Sequence, residues 1–122
     1  MFSLTLLTKS FFHALRGLSS VYRHEQNFRL QVWAALVVIV FGGYVGITLK
    51  EWVIIILVIT LVLLLELLNT VIERMIDVIK PKIHEYVRVI KDVMAAAVLI
   101  SSLAAVVVGI IVFYPYVQDL LR

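Results

Sequence analysis

A carboxylate sits in the middle of a leucine run: Leu61-Val62-Leu63-Leu64-Leu65-Glu66-Leu67-Leu68. A segment this apolar reads as a membrane helix, because a helix satisfies all its backbone polar groups within one segment. Two further apolar stretches occur, Val32 to Leu49 and Val93 to Tyr114. The expected fold is therefore all-α and membrane-embedded, with three transmembrane helices in one domain spanning residues 1–122. Composition points the same way. Of 122 residues, 63% are hydrophobic and 16% charged, and the mean hydropathy is +1.09, whereas soluble domains carry about 25% charged residues. The absence of cysteine excludes a disulfide framework and thiol chemistry. Met1 to Leu7 is apolar, but it lacks a basic n-region and a small-residue cleavage site, so no cleavable signal peptide is expected.

Before the first span, residues 2–29 read as an amphipathic surface helix. Leu4, Leu7, Phe11, Leu15, Leu18 and Tyr22 recur at threes and fours, and Lys9, Arg16 and Arg23 recur at sevens on another face. That pattern suits a helix in the headgroup layer with its cations toward anionic lipid. The first span is expected over 32–49, whose 18 residues make about 27 Å of helix, close to the hydrocarbon thickness. Gly42, Gly43 and Gly46 lie late in it; close helix packing and a fraying helix end both fit them. Lys50-Glu51 reads as a very short turn, which makes spans one and two antiparallel neighbours. The second helix is expected over 52–79, from an interfacial Trp52 to the stop at Lys80-Pro81. Lys82 to Arg88 reads as a polar connection. The third span, 93–114, carries small residues at Ala97, Ser101, Ala105 and Gly109, and Pro115 is expected to stop it.

An ionisable group at membrane depth is functional by default. Glu66, Asn69, Glu73 and Asp77 fall within an arc of about 80° on one helix face, so the polar stripe runs from inside the bilayer toward the water. The basic residues set an orientation. Lys9, Arg16, Arg23 and Arg29 precede span one, and Arg74, Lys80, Lys82, Arg88 and Lys91 lie between spans two and three, against only Lys50 and Arg122 elsewhere. The positive-inside rule places the N-terminus and the second connection in the cytoplasm. Glu25, Glu73, Asp77, His84, Lys91 and Asp92 then share the cytoplasmic face, with Glu66 just below. Carboxylates for Mg²⁺, cations for phosphate at Arg88 and Lys91, and a base in an apolar setting make up the set that phosphoryl transfer needs. No GxxxxGK[ST] loop or soluble-kinase signature is present, and spacing alone does not name the phosphoryl donor.

The run Glu66-Leu67-Leu68-Asn69-Thr70-Val71-Ile72-Glu73, followed by Asp77, His84, Lys91-Asp92 and Ala95-Ala96-Ala97-Val98-Leu99, resembles the signature of the small prokaryotic diacylglycerol kinase family, which includes undecaprenol kinases. Ala14-Leu15-Arg16-Gly17 and Glu25-Gln26-Asn27-Phe28-Arg29 match its N-terminal half. The resemblance implies three transmembrane helices plus the surface helix, a homotrimer with sites composed between protomers, and ATP- and Mg²⁺-dependent phosphorylation of a lipid hydroxyl. It implies that Glu66 is the catalytic base, supported by Asn69, and that Glu25 and Glu73 hold the metal. Nucleotide contacts are implied at Glu25, Glu73, Lys82, His84, Lys91, Asp92 and His13, and lipid contacts at Glu66 and Ala95. The implied partners are ATP, a membrane lipid and copies of the chain, with no nucleic acid, at a bacterial cytoplasmic membrane.

Met94 departs from the family's usual small residue, Gln31 from its frequent histidine or glutamate, and His13 from an aromatic or polar residue; Lys9 only roughly replaces an N-terminal arginine. Two other classes compete. A proton-coupled transporter subunit also carries a lone intramembrane glutamate, but acidic groups confined to one side argue against alternating access. A membrane scaffold that has lost activity is countered by the retention of every matched acidic position. For Glu73 and Asp77 the plain alternative is a solvated helix end paired with Arg74 and Lys80. For Lys91-Asp92 it is a snorkelling lysine and a helix-start carboxylate.

Overall fold

The computed structural model describes residues 1–79 and 84–122, and for His84 the backbone alone. Among them are four helices and no strand: α1 Leu4–His24, α2 Gln26–Val45, α3 Leu49–Ile79 and α4 His84–Leu120. The last three are long and apolar enough to cross a membrane. The 20 residues of α2 make about 30 Å of helix, the 31 of α3 about 46 Å and the 37 of α4 about 55 Å. Since the hydrocarbon layer is about 30 Å thick, α3 and α4 must extend well beyond it.

The continuous helix expected over 2–29 is instead broken at one residue. Glu25, at φ −108° and ψ 111°, closes α1 and opens α2. Arg29 explains the break. Its Nη1 donates to the carbonyls of Tyr22 at 2.9 Å and Arg23 at 2.8 Å, which satisfies acceptors that the end of α1 leaves without helical partners. Trp33 Nε1 donates to the Tyr22 hydroxyl at 3.2 Å, and Val21 and Phe28 are buried on either side of the corner. Tyr22 and Trp33 therefore clasp two helices together.

The other end of α2 resolves the glycine ambiguity, with different residues filling each role. Gly46 takes the left-handed conformation, φ 72°, as the C-cap. Its N–H and that of Ile47 both donate to the Gly42 carbonyl, at 3.0 and 3.2 Å. This is how a glycine terminates a helix without a Cβ penalty. Gly42 serves packing: a Cβ there would come within 3.1 Å of Trp52 Cη2 and 3.2 Å of Ile47 Cδ1.

Lys50-Glu51 is the first turn of α3, not the turn between spans. Thr48 N–H donates to Glu51 Oε1 and Glu51 N–H to Thr48 Oγ1, each at 3.2 Å, so the two residues form a capping box. Glu51 Oε1 also accepts from the Tyr116 hydroxyl at 2.6 Å. That bond ties the far end of α4 to the start of α3. It accounts for a second correction, because α4 continues through Pro115 to Leu120. Proline loses one helical bond, but Tyr116 anchors the next turn. Ile47, Ile55 and Val112 form the buried cluster at this end, with Trp52, Phe113 and Tyr116 packed on it.

At its other end α4 starts at His84 rather than near residue 93, so most of the expected polar connection is helical. No proline or glycine falls between Pro81 and Gly109, and Glu85 in the first turn favours the helix dipole. The expected stop at Lys80-Pro81 lies outside the described residues.

Candidate functional site

Buried residues on α3 are Ile55, Val62, Glu66, Thr70 and Ile76. The spacing from Ile55 through Val62 and Glu66 to Thr70 follows one helix face, so the carboxylate lies on the stripe that packs against protein. Only 1% of Glu66 is exposed, while neighbouring Leu64 and Leu68 face outward. Counting from Leu49, Glu66 lies about 26 Å along α3, near the far boundary of the hydrocarbon layer.

The hydrogen-bond donor to this carboxylate comes from another helix. Gln31 Nε2, on the second turn of α2, donates to Glu66 Oε2 at 3.1 Å. One turn beyond, Thr70 is equally buried and its Oγ1 donates to the Glu66 carbonyl at 3.0 Å. Asn69 is half-buried on the same turn, and among the described residues it is Gln31, not Asn69, that bonds the acid.

Glu25 is half-buried at the corner between α1 and α2. As N-cap of α2 it makes no side-chain capping bond, which leaves its carboxylate free for another task. Glu73 is half-buried two turns beyond Glu66. The charges of Glu25, at the α1–α2 corner, and of Glu73, on α3, are both felt at Glu66. Among the described residues no three acidic or histidine side chains are arranged as a metal cage. That donor set fits Mg²⁺, which is commonly held by one or two carboxylates and completed by water and phosphate oxygens.

Asp77 does not pair with Arg74. Its Oδ1 lies 4.0 Å from Lys91 Nζ, across α3 and α4, while Arg74 Nη2 reaches Ser20 Oγ of α1 at 3.4 Å. Lys91 is thus tied to the polar end of α3, beside the exposed Asp92. Such an exposed pair is weak, about 0–1 kcal/mol, so Lys91 is readily available to an anion. Ala95 is exposed one turn further along α4, and His13 is exposed on α1. Lys82 and the His84 side chain fall outside what the structure describes.

Sequence reasoning passed over Gln31 as a partner for Glu66. A signal was present: an amide at the edge of an apolar span needs a hydrogen-bond partner. Thr70 carried no signal distinguishing it from a neutral helix position.

This is a multi-pass membrane protein whose buried carboxylate lies beneath a cluster of acidic and basic side chains. The family model for prokaryotic diacylglycerol kinase matches residues 12–113. An undecaprenol kinase from Bacillus subtilis (strain 168) is 39% identical over 107 residues, covering 88% of this chain and 87% of that protein. Diacylglycerol kinases from Haemophilus influenzae and Escherichia coli (strain K12) are 34% and 30% identical, covering 91% and 92% of this chain and 95% and 92% of their own. The chain belongs to the prokaryotic diacylglycerol kinase family. It is a lipid kinase, not a transporter subunit.

Proposed function

We propose that the chain transfers the γ-phosphoryl group of Mg²⁺-ATP to the hydroxyl of a membrane lipid at the cytoplasmic face of a bacterial inner membrane. The observation that carries this reading is the buried Glu66 on the protein-packed face of α3, with Glu25 and Glu73 within its electrostatic reach. In the reaction the lipid oxygen attacks the γ-phosphorus, its proton passes to Glu66, and ADP leaves. Glu25 and Glu73 hold Mg²⁺, which neutralises phosphate charge. Lys91 and Asp92 face the nucleotide, with His13, Lys82 and His84 as further contacts and Ala95 beside the lipid. Asn69 supports the site one turn above the base. Each chain works within a homotrimer, with α1 lying in the headgroup layer.

The acceptor is a polyprenol such as undecaprenol, in preference to diacylglycerol. The runs Glu25-Gln26-Asn27-Phe28-Arg29 and Asn69-Thr70-Val71-Ile72-Glu73 favour that branch, and the undecaprenol kinase of Bacillus subtilis is the 39% identical relative. Discrimination is expected to be modest, because apolar contacts separate related chains poorly. With both lipids competing in one assay using labelled ATP, the polyprenol phosphate should predominate. A clear excess of phosphatidic acid would overturn the choice, and no labelled lipid at all would overturn the function.

The basic residues flanking α1, α2 and the α3–α4 connection set the orientation. Single cysteines replacing Glu85 and Gln118 should react with a membrane-impermeant reagent from opposite sides of intact cells, Gln118→Cys from outside. Labelling of both from outside would refute a cytoplasmic site.

A further inference from the structure

We propose that Gln31 is a positioning residue for Glu66, its side-chain amide holding one carboxylate oxygen so that the other is left to meet the lipid alcohol. The inference rests on the reading in which Glu66 takes the alcohol's proton. Across 35 positions of sequence, Gln31 Nε2 reaches Glu66 Oε2 at 3.1 Å. Among the described residues Glu66 Oε1 has no such side-chain partner. The terminal torsion of a glutamate is soft, so a single donor fixes which oxygen points where. A base misplaced by about 1 Å can cost about 10²-fold in rate.

The other half of the amide shows that packing alone does not account for this residue. Gln31 Oε1 is buried without a hydrogen-bond partner among the described residues. An unpaired buried acceptor is costly, and an apolar side chain of the same length would avoid the cost. What such a side chain would lack is the N–H on Glu66.

Gln31 also lines a cavity of about 310 Å³ between α2, α3 and α4, whose walls include Ala35, Ile59, Val62, Ala105 and Gly109. The small residues of α4 open this space beside α3. Glu66 is thus linked through one amide to a void whose lining is apolar but for Gln31 and Ser102. A flexible side chain facing that void would have little to restrain it, and the bond to Glu66 orders both partners at once.

The test compares kcat and the KM values for lipid and ATP in the full-length protein in mixed micelles. Gln31→Met should lower kcat about 10- to 100-fold, with both KM values within about twofold of the parent. Gln31→His, which keeps a ring N–H, should recover most of the lost kcat. Added to Glu66→Gln, Gln31→Met should cause no further loss, because the two act through one group. Unchanged kcat in Gln31→Met beside an inactive Glu66→Gln would overturn this proposal and leave the base assignment standing. A loss confined to lipid KM would make Gln31 a lipid contact and overturn it too. Equal loss in Gln31→Met and Gln31→His, tracking a lowered thermal midpoint, would assign a structural role instead. Normal turnover in Glu66→Gln would bring down the base assignment, and this proposal with it.

Discussion

Glu66→Gln is expected to reduce lipid phosphorylation about 10²- to 10⁴-fold, the range supplied by a positioned general base. Glutamine keeps the size of the side chain and can still hydrogen-bond Gln31, so packing on the α3 stripe should survive. Binding of Mg²⁺-nucleotide, read by equilibrium titration, should be nearly unchanged. Assembly of the proposed trimer, read by native mass, should also persist. The separation follows from depth. Glu73 lies seven residues beyond Glu66, about 10.5 Å along the helix toward water. In the proposed reaction a lipid hydroxyl reaches the deeper carboxylate, while the nucleotide stays at the shallower one. Near-normal turnover would make Glu66 a structural acid whose purpose is to bond α2 through Gln31. Loss of nucleotide binding along with turnover would place Glu66 in the metal site and the base elsewhere.

Glu73→Gln should show the complementary pattern. Neutralising a carboxylate proposed to hold the metal should leave the lipid site intact but raise the Mg²⁺ concentration needed for half-maximal rate. Loss of an outer partner in a metal site costs about 10- to 100-fold, and loss of a direct ligand should cost at least as much. The same shift is expected for Glu25→Gln, because the corner between α1 and α2 brings that carboxylate within reach of the same region. Lipid KM measured at saturating Mg²⁺ should barely move. A Glu73→Gln enzyme with the parent's Mg²⁺ dependence would remove Glu73 from the metal site. Glu73 would then be a solvated helix-end acid.

These outcomes separate two roles that the α3 periodicity alone assigns to one helix face. Glu66, Glu73 and Asp77 share an arc, yet their surroundings differ. Glu66 is 1% exposed and bonded to Gln31 of α2, Glu73 is half-buried, and Asp77 is exposed and meets Lys91. The same spacing therefore spans a gradient from dry to wet. A proton acceptor belongs at its dry end and a charged cosubstrate at its wet end.

Much of this protein was legible without coordinates. Three apolar stretches define three membrane helices, because hydropathy is a local property and the bilayer demands it of every spanning segment. An acid within leucines signals a side chain that must find a polar partner, and Glu66 is buried with one. The stripe from Glu66 to Asp77 follows from helical period. The Thr48-x-x-Glu51 capping box was also written in the chain, though its lysine and glutamate read more simply as a turn. What needed tertiary structure was every pairing between elements. The break at Glu25 depends on Arg29 folding back onto Tyr22 and Arg23. The run of α4 past Pro115 goes with Tyr116 reaching Glu51, and the environment of Glu66 depends on Gln31 arriving from α2. Periodicity states which residues share a face but not which neighbouring helix that face meets. That choice is made by side-chain packing and by hydrogen bonds between residues far apart in sequence, which leave no local pattern to read.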